Sequence, residues 1–373
     1  MRYRYGIDNV EKADYILKDK KNIGLLSNYT GVDSNFNRSV DVLCGRYKLA
    51  KLYAPEHGYD GVLQAGKSIE NLTDKISGLP VLSMFNITDS EEDNIFEGVD
   101  AVCFDIQDVG LRFYTYISVL ALAMKQCAKR NIPMVVFDRY NPLGLDKVSG
   151  TLLSEEFSSF VGMYELPSRH GMTVGEYARY INTEKNINCD LHVIACEGLK
   201  RTDNFESLGV PWIQTSPNIP TYDTAVVYTG TVVFEDSNVS EGRGTTKPFE
   251  LIGAPFIDGT ELSRLMNDKK IPGVYFREVA FCPTFSKYQG ERCEGVQIHV
   301  TDREIFEPFY TGLILWDTIR KNYPKFKVKD NAKCLFGSDE IFAPDFDADK
   351  FYEKHKIKIA EFTEKNKKYW LYQ

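Results

Sequence analysis

The strongest constraint on this chain is a rhythm. Short apolar runs at residues 23–26, 49–53, 81–84, 101–104, 134–137 and 191–195 are separated by amphipathic stretches. Strands that alternate with helices are joined by crossovers, and crossovers make neighbouring strands parallel and bury both faces of the sheet. The expectation is an α/β fold with a Rossmann-like, mostly parallel sheet. Phe113, Ile117, Leu120, Met124 and Cys127 recur at four-three spacing after the fourth run, which predicts a helix packed on that sheet. Beyond about residue 211 the pattern changes: 222–235, 274–282 and 295–300 read as longer strands, and 308–323 and 350–367 as helices. A smaller α+β domain is expected there, with the proline-containing stretch 211–220 as the crossing. The expected division is 1–212 and 213–373.

Composition removes several function classes. At 373 residues the chain can bury two cores without a metal or disulfide staple, and no apolar run approaches the roughly 20 residues that span a bilayer. A net charge of -8 repels nucleic acid, and the lysine-rich stretches 18–21 and 365–368 lack interleaved aromatic platforms. Neither nucleic acid nor membrane is expected as a partner, and oligomeric state leaves no signature. The eight cysteines lack CxxC spacing and read as reduced, small hydrophobes, with no metal site. Residues 1–8 carry two arginines but no apolar segment or cleavage site, so a cytoplasmic location is expected.

Ligands of open parallel sheets bind beyond the carboxyl ends of the strands, so the polar residues that follow each apolar run are the candidates. The second run leads into Pro55, Glu56, His57 and Gly58. Glu56 is the first candidate for a catalytic acid, since aromatic walls such as Tyr53 and Tyr59 would raise its pKa; the plainer alternative is a carboxylate at a helix start with a core histidine beside it. The fourth run delivers Asp105, Gln107 and Asp108, then Arg112, Tyr114 and Tyr116. Such a group can activate water, stabilise an oxocarbenium-like charge and bind sugar hydroxyls, or Asp105 or Asp108 can simply cap the helix and pair with Arg112. Asp138 to Asn141 close the fifth run. Arg169 and His170 precede Thr173 and Glu176, which have the spacing of a capping box. Asn218 lies in the crossing, and Glu241 and Arg243 lie in a glycine-interrupted loop. Arg243 suits a carboxylate such as a lactyl acid, or pairs with Glu241 or Asp236 in an ordinary turn. That loop lacks the glycine spacing of a dinucleotide site, and no P-loop motif occurs.

Taken together, PEHG, FDIQDVGLRFYTY, DRYNPLG, RHGMTVGE, SPNIPT and SEGRGTTKPFELIGAP stand in the order and approximate spacing of the NamZ-type exo-β-N-acetylmuramidases, formerly a bacterial domain of unknown function. The chain resembles that family over nearly its whole length. The resemblance implies a Rossmann-like N-terminal domain, a smaller C-terminal domain, an active pocket between them and no cofactor. It implies that Glu56 is the catalytic acid, that Asp105, Gln107, Asp108, Arg112, Tyr114 and Tyr116 line one wall, and that His170, Asn218, Glu241 and Arg243 line the other. The sequence departs from the usual pattern at Tyr59 and Asp60, at Tyr140, and in EDSNVSEGRGT from Glu235. The implied substrates are muramic-acid-containing peptidoglycan fragments, cut from their non-reducing ends during cell-wall recycling; the export signal of many relatives is not seen here, which fits fragments brought into the cell.

The expected mechanism has Glu56 protonating the glycosidic oxygen while Asp105 or Asp108 positions water or stabilises the developing charge, with His57, Arg169 and the remaining candidates binding substrate. Two rivals stand beside it: a muropeptide- or sugar-binding protein without turnover, and a metal-dependent hydrolase using His57, Asp105, Asp108 and His170.

Overall fold

The apolar runs 23–26, 101–104 and 134–137 are buried throughout in the computed structural model, which describes residues 3–67, 72–87 and 89–373, and the runs 49–53, 81–84 and 191–195 are buried in part. All of β1 (Ile23–Ser27) is inaccessible, as a strand covered on both faces requires. The strands that follow are β2 (Leu49–Ala54), β3 (Leu72–Thr73), β4 (Pro80–Ser83), β5 (Ala101–Asp105), β6 (Met134–Phe137), β7 (Ser149–Leu152), β8 (Pro167–Arg169), β9 (Leu191–Ile194), β10 (Leu251–Ala254), β11 (Val274–Phe281) and β12 (Cys293–Val300). The longer helices are α1 (Tyr116–Arg130), α2 (Val174–Glu184), α3 (Tyr222–Thr231), α4 (Gly259–Asn267), α5 (Pro308–Asn322) and α6 (Ala348–Asn366).

The chain divides into two units. The first comprises Met1–Lys147, His170–Pro217 and Thr363–Gln373, and the second Val148–Arg169 and Asn218–Phe362. The division therefore departs from a single cut at 212: a β7-β8 excursion belongs with the second unit, and the last eleven residues with the first.

The first unit holds a sheet of order β3-β4-β2-β1-β5-β6-β9, parallel except for β3. Counting only the parallel strands in chain order, this is the doubly wound order 3-2-1-4-5-6, whose direction reverses between β1 and β5. Leu25, Leu52, Cys103, Val135 and Phe137 share one hydrophobic cluster with Ile7, Leu17, Val40 and Leu43. Each full burial of such an aliphatic or aromatic side chain stabilises by about 1.5–3 kcal/mol. Helix α1 begins at Tyr116, one turn later than its apolar spacing suggests, so Phe113 is buried in the preceding turn. Thr173 and Glu176 form the expected capping box of α2.

Residues 363–373 are tied to the first unit by specific bonds. The Tyr372 hydroxyl donates to Asp138 (2.6 Å) and accepts from the Cys196 amide (2.9 Å), and the Leu371 amide donates to Glu176 (2.7 Å). Arg201 pairs with the same Glu176 and lies 3.7 Å from the centre of the Trp370 ring.

In the second unit β10-β12-β11 form an antiparallel sheet and β7-β8 a ribbon. Residues 222–235 are not the strand their β-branched and aromatic content suggests: they form α3 and a 3-10 turn, Val232–Phe234. Thr221 caps α3 by accepting the Thr224 amide, and Asp223 sits in its first turn, where the helix dipole favours an acid. Gly230 lets α3 meet α5 backbone to backbone, because a Cβ there would lie 1.9 Å from the Pro308 carbonyl oxygen. Burial on nearly every side removes the amphipathic signal and overrides propensity. Among the described residues no helix is long and apolar enough to cross a membrane, and six of the eight free cysteines are buried.

Candidate active site

The switch point between β1 and β5 is where the first unit gathers its polar side chains. Strand β2 ends at Ala54 and leads to Glu56, which is 8% exposed. Its Oε2 accepts from the Thr115 hydroxyl (2.7 Å) and its Oε1 from the Gly66 amide (2.8 Å). Thr115 immediately precedes α1, so the PEHG loop and the loop after β5 are joined at the carboxylate. His57 is engaged in the turn that follows. Its backbone is left-handed at φ 74°, and its Nδ1–H donates to the Leu63 carbonyl (2.8 Å), closing the 57–63 turn.

The two aspartates part company. Asp105 is inaccessible and forms a bidentate pair with Arg139 at 2.6 and 2.8 Å, and it also accepts from the Ser39 hydroxyl. This corrects the expectation that Asp105 pairs with Arg112: Arg139, the second residue beyond β6, takes both its oxygens. Asp108 has no cation bonded to it among the described residues. Its Oδ2 accepts the Gly110 amide (2.6 Å), its buried Oδ1 has no hydrogen-bond partner among the described residues, and burial pushes its pKa up to about 7 against the pull of the Gly110 and Val109 amides.

Gln107 spends both amide hydrogens on the carbonyls of Asp108 (2.8 Å) and Tyr140 (2.9 Å), which braces the loop. Arg112 is buried. The Tyr114 and Tyr116 rings meet edge-on, 4.9 Å between centroids. The Tyr116 hydroxyl donates to the Thr215 carbonyl (2.6 Å) and accepts from Asn28 (3.0 Å), while Tyr114 lies beside Thr215 and Ser216.

Burial raises both phenols, Asp108 contributes to the rise at Tyr114 and Glu56 to that at Tyr116, and Tyr29 acts on both. One electrostatic neighbourhood thus contains both acids. Tyr29 escapes the sequence reading, although it lies two residues beyond β1 and its position past a strand end is the available signal. Its ring lies on Gly61, where a Cβ would approach to 1.7 Å, and the Tyr29 amide donates to the Tyr59 carbonyl (2.8 Å). The aromatic surroundings therefore come from Tyr29, Tyr114 and Tyr116. Tyr53, expected in that role, packs edge-on against Phe96 with Cys127 and Arg130 near its hydroxyl, at the far end of α1 from Thr115; Tyr59 joins the hydrophobic core.

His170 is buried beside Asp108. Its amide donates to the Gly110 carbonyl (3.3 Å), its Nδ1 accepts the Met172 amide (3.2 Å), and its Nε2 lies 4.0 Å from Asp108 Oδ2. Burial pushes its pKa down to about 3. The four residues of the metal reading do not gather: among the described residues no three His, Cys, Asp or Glu side chains are placed to hold one ion.

The second unit carries the other candidates. Arg169 and Asn218 are buried, Arg169 on β8 opposite Ser149. Glu241 accepts from Arg243 Nε (3.1 Å) and Lys287 Nζ (2.8 Å), and Arg243 also binds Glu235. Lys287 completes itself on the carbonyls of Phe234 (2.6 Å) and Val239 (3.0 Å). Of the two readings of Arg243, the pair with Glu241 is realised, but in a half-buried four-charge knot with Glu235 instead of Asp236. Lys287, far along the chain and outside every motif, could be found only in three dimensions.

Two domain models match the chain: exo-beta-N-acetylmuramidase NamZ, N-terminal, over residues 23–223, and the C-terminal counterpart over 226–372. The peptidoglycan beta-N-acetylmuramidase NamZ of Bacillus subtilis (strain 168) is 46% identical over 323 residues, 86% of this chain and 78% of the relative. Two solved structures of DUF1343 family proteins from Bacteroides fragilis NCTC 9343 are similar in fold. One is 29% identical with a TM-score of 0.90 and covers 100% of both chains. The other is 27% identical with a TM-score of 0.79, covering 100% of this chain and 99% of that one.

Proposed function

The chain belongs to the NamZ family of exo-β-N-acetylmuramidases, and from that premise we propose how it works: it is a glycoside hydrolase that releases N-acetylmuramic acid from the non-reducing ends of peptidoglycan fragments. Glu56 gives its carboxyl proton to the glycosidic oxygen as the bond from that oxygen to the anomeric carbon breaks. Water then adds to the anomeric carbon and passes a proton to Asp108. A base near neutral pKa suits such a step, and burial places Asp108 there. Asp105 acts behind them by fixing Arg139 and the strand ends. The observation that carries this reading is the bond from Thr115 to Glu56, which supports one site for the two acid-bearing loops.

Replacing Glu56 by Gln is expected to lower kcat on a muramic-acid disaccharide by about 10² to 10⁴-fold with binding retained. A loss under tenfold would contradict the assignment. The glucosamine-only disaccharide should be turned over more slowly than its muramic counterpart. A second assignment, with the roles exchanged, draws support from the same near-neutral Asp108. An activated aryl leaving group separates the two, since it restores the variant that lacks the acid and not the one that lacks the base.

The proposed setting is the cytoplasm, where imported wall fragments would be recycled. Eight free thiols support a reducing compartment. Cell fractionation that finds the protein outside the cytoplasm would reject it.

A further inference from the structure

His170 and Asp108 lie side by side, with Nε2 4.0 Å from Oδ2, and among the described residues neither group is fully bonded. His170 Nε2 and Asp108 Oδ1 are both buried without a hydrogen-bond partner among the described residues, and buried polar atoms in that state call for an explanation. The imidazole is not free to choose its tautomer. The Met172 amide can only donate, so Nδ1 must be the acceptor and the ring proton of a neutral imidazole lies on Nε2. That nitrogen lies 4.0 Å from Asp108 Oδ2, about 1 Å more than a hydrogen bond. The backbone fixes the pair as well, because the His170 amide donates to the carbonyl of Gly110, whose own amide binds Asp108.

We propose that His170 is a positioning residue for Asp108: its neutral Nε2–H closes onto the Asp108 carboxylate when that group loses its proton, and the imidazole does not touch sugar. This rests on the reading of Asp108 as a proton-transferring group and adds how its charge is held. An ionised carboxylate gains most from a new donor, and a neutral donor stabilises it without the fixed opposite charge that locks Asp105 onto Arg139. The other groups facing the pair are Tyr114, from the segment leading into α1, the Val109 amide, and Tyr177 of α2, whose ring lies 6.4 Å from the imidazole; Arg112 is buried in the same loop. Burial holds His170 neutral over the range in which Asp108 ionises.

Nitrogen-15 NMR of the intact protein tests the tautomer without reference to turnover. The chain has five histidines, and His170→Gln identifies the resonance in question. A neutral ring with its proton on Nε2 from pH 5 to 9 is expected; a ring that titrates near 6–7, or one protonated on Nδ1, would overturn the proposal. In kcat/KM against pH, His170→Leu should move the limb governed by Asp108 up by about one unit, a tenfold loss on that limb, with KM little changed. His170→Gln, which keeps an N–H donor, should move it less. A wild-type profile in His170→Leu, with Asp108→Asn inactive, would sink this inference and leave the proposed function standing. An active Asp108→Asn would end both.

Discussion

Asp105 and Asp108 leave the same strand on the same short segment and end in opposite chemical states. Asp105 meets an arginine and a hydroxyl, so its lone pairs are spent and its charge is matched. Asp108 meets peptide amides and a neutral ring, keeps one oxygen without a partner among the described residues, and holds its proton to about pH 7. A buried acid with a bidentate cation is part of the scaffold, whereas one held by neutral donors can exchange a proton during a reaction. The same contrast separates Glu56, bound by a hydroxyl and an amide, from Glu241, bound by Arg243 and Lys287.

The contrast breaks first if Asp105→Ala is harmless. That change leaves the Arg139 guanidinium buried without its counter-ion, and a loss of about 3–5 kcal/mol is expected in urea unfolding; a loss below about 1 kcal/mol would put the two aspartates in one class. Asp108→Asn should do the reverse, removing most activity and stabilising the fold at alkaline pH. The folded carboxyl keeps its proton to about 7 against an ordinary 3.8, so the wild-type chain loses stability as pH climbs between those values, and the amide does not. The variant should match wild type near pH 4 and exceed it at pH 8 by about 2–4 kcal/mol in denaturant melts. Equal stability at both values would remove the basis for the comparison. Gly61→Ala sharpens it at lower cost: at φ +68° and against the Tyr29 ring, the methyl should destabilise by about 1–2 kcal/mol and raise KM several-fold. An unchanged KM would take Tyr29 out of the substrate's path.

The parallel sheet was legible because its strands are buried on both faces, so 23–26, 101–104 and 134–137 are apolar without interruption. Thr173 and Glu176 were legible because a capping box is a local device. What escaped depended on distant partners. Residues 222–235 are helical because Gly230 meets α5, far along the chain, and Asp105 is scaffold because Arg139 and Ser39 reach it from other strand connections. Spacing singled out the PEHG and FDIQDVG loops but could not say which of Asp105 and Asp108 would find a cation. Tyr29 lay outside the reading because its place depends on a glycine brought to it from the far side of β2.

The bonds from Tyr372 to Asp138 and from Leu371 to Glu176 impose an order on biosynthesis. The ribosome makes the parallel sheet early, yet the segment that seals Asp138 and Arg201 emerges only after residues 218–362 have been translated. At about 5–20 residues per second that interval is roughly 7–30 s. Throughout it the nascent sheet must survive with its Trp370 and Tyr372 berths vacant, a window in which chaperones would find it.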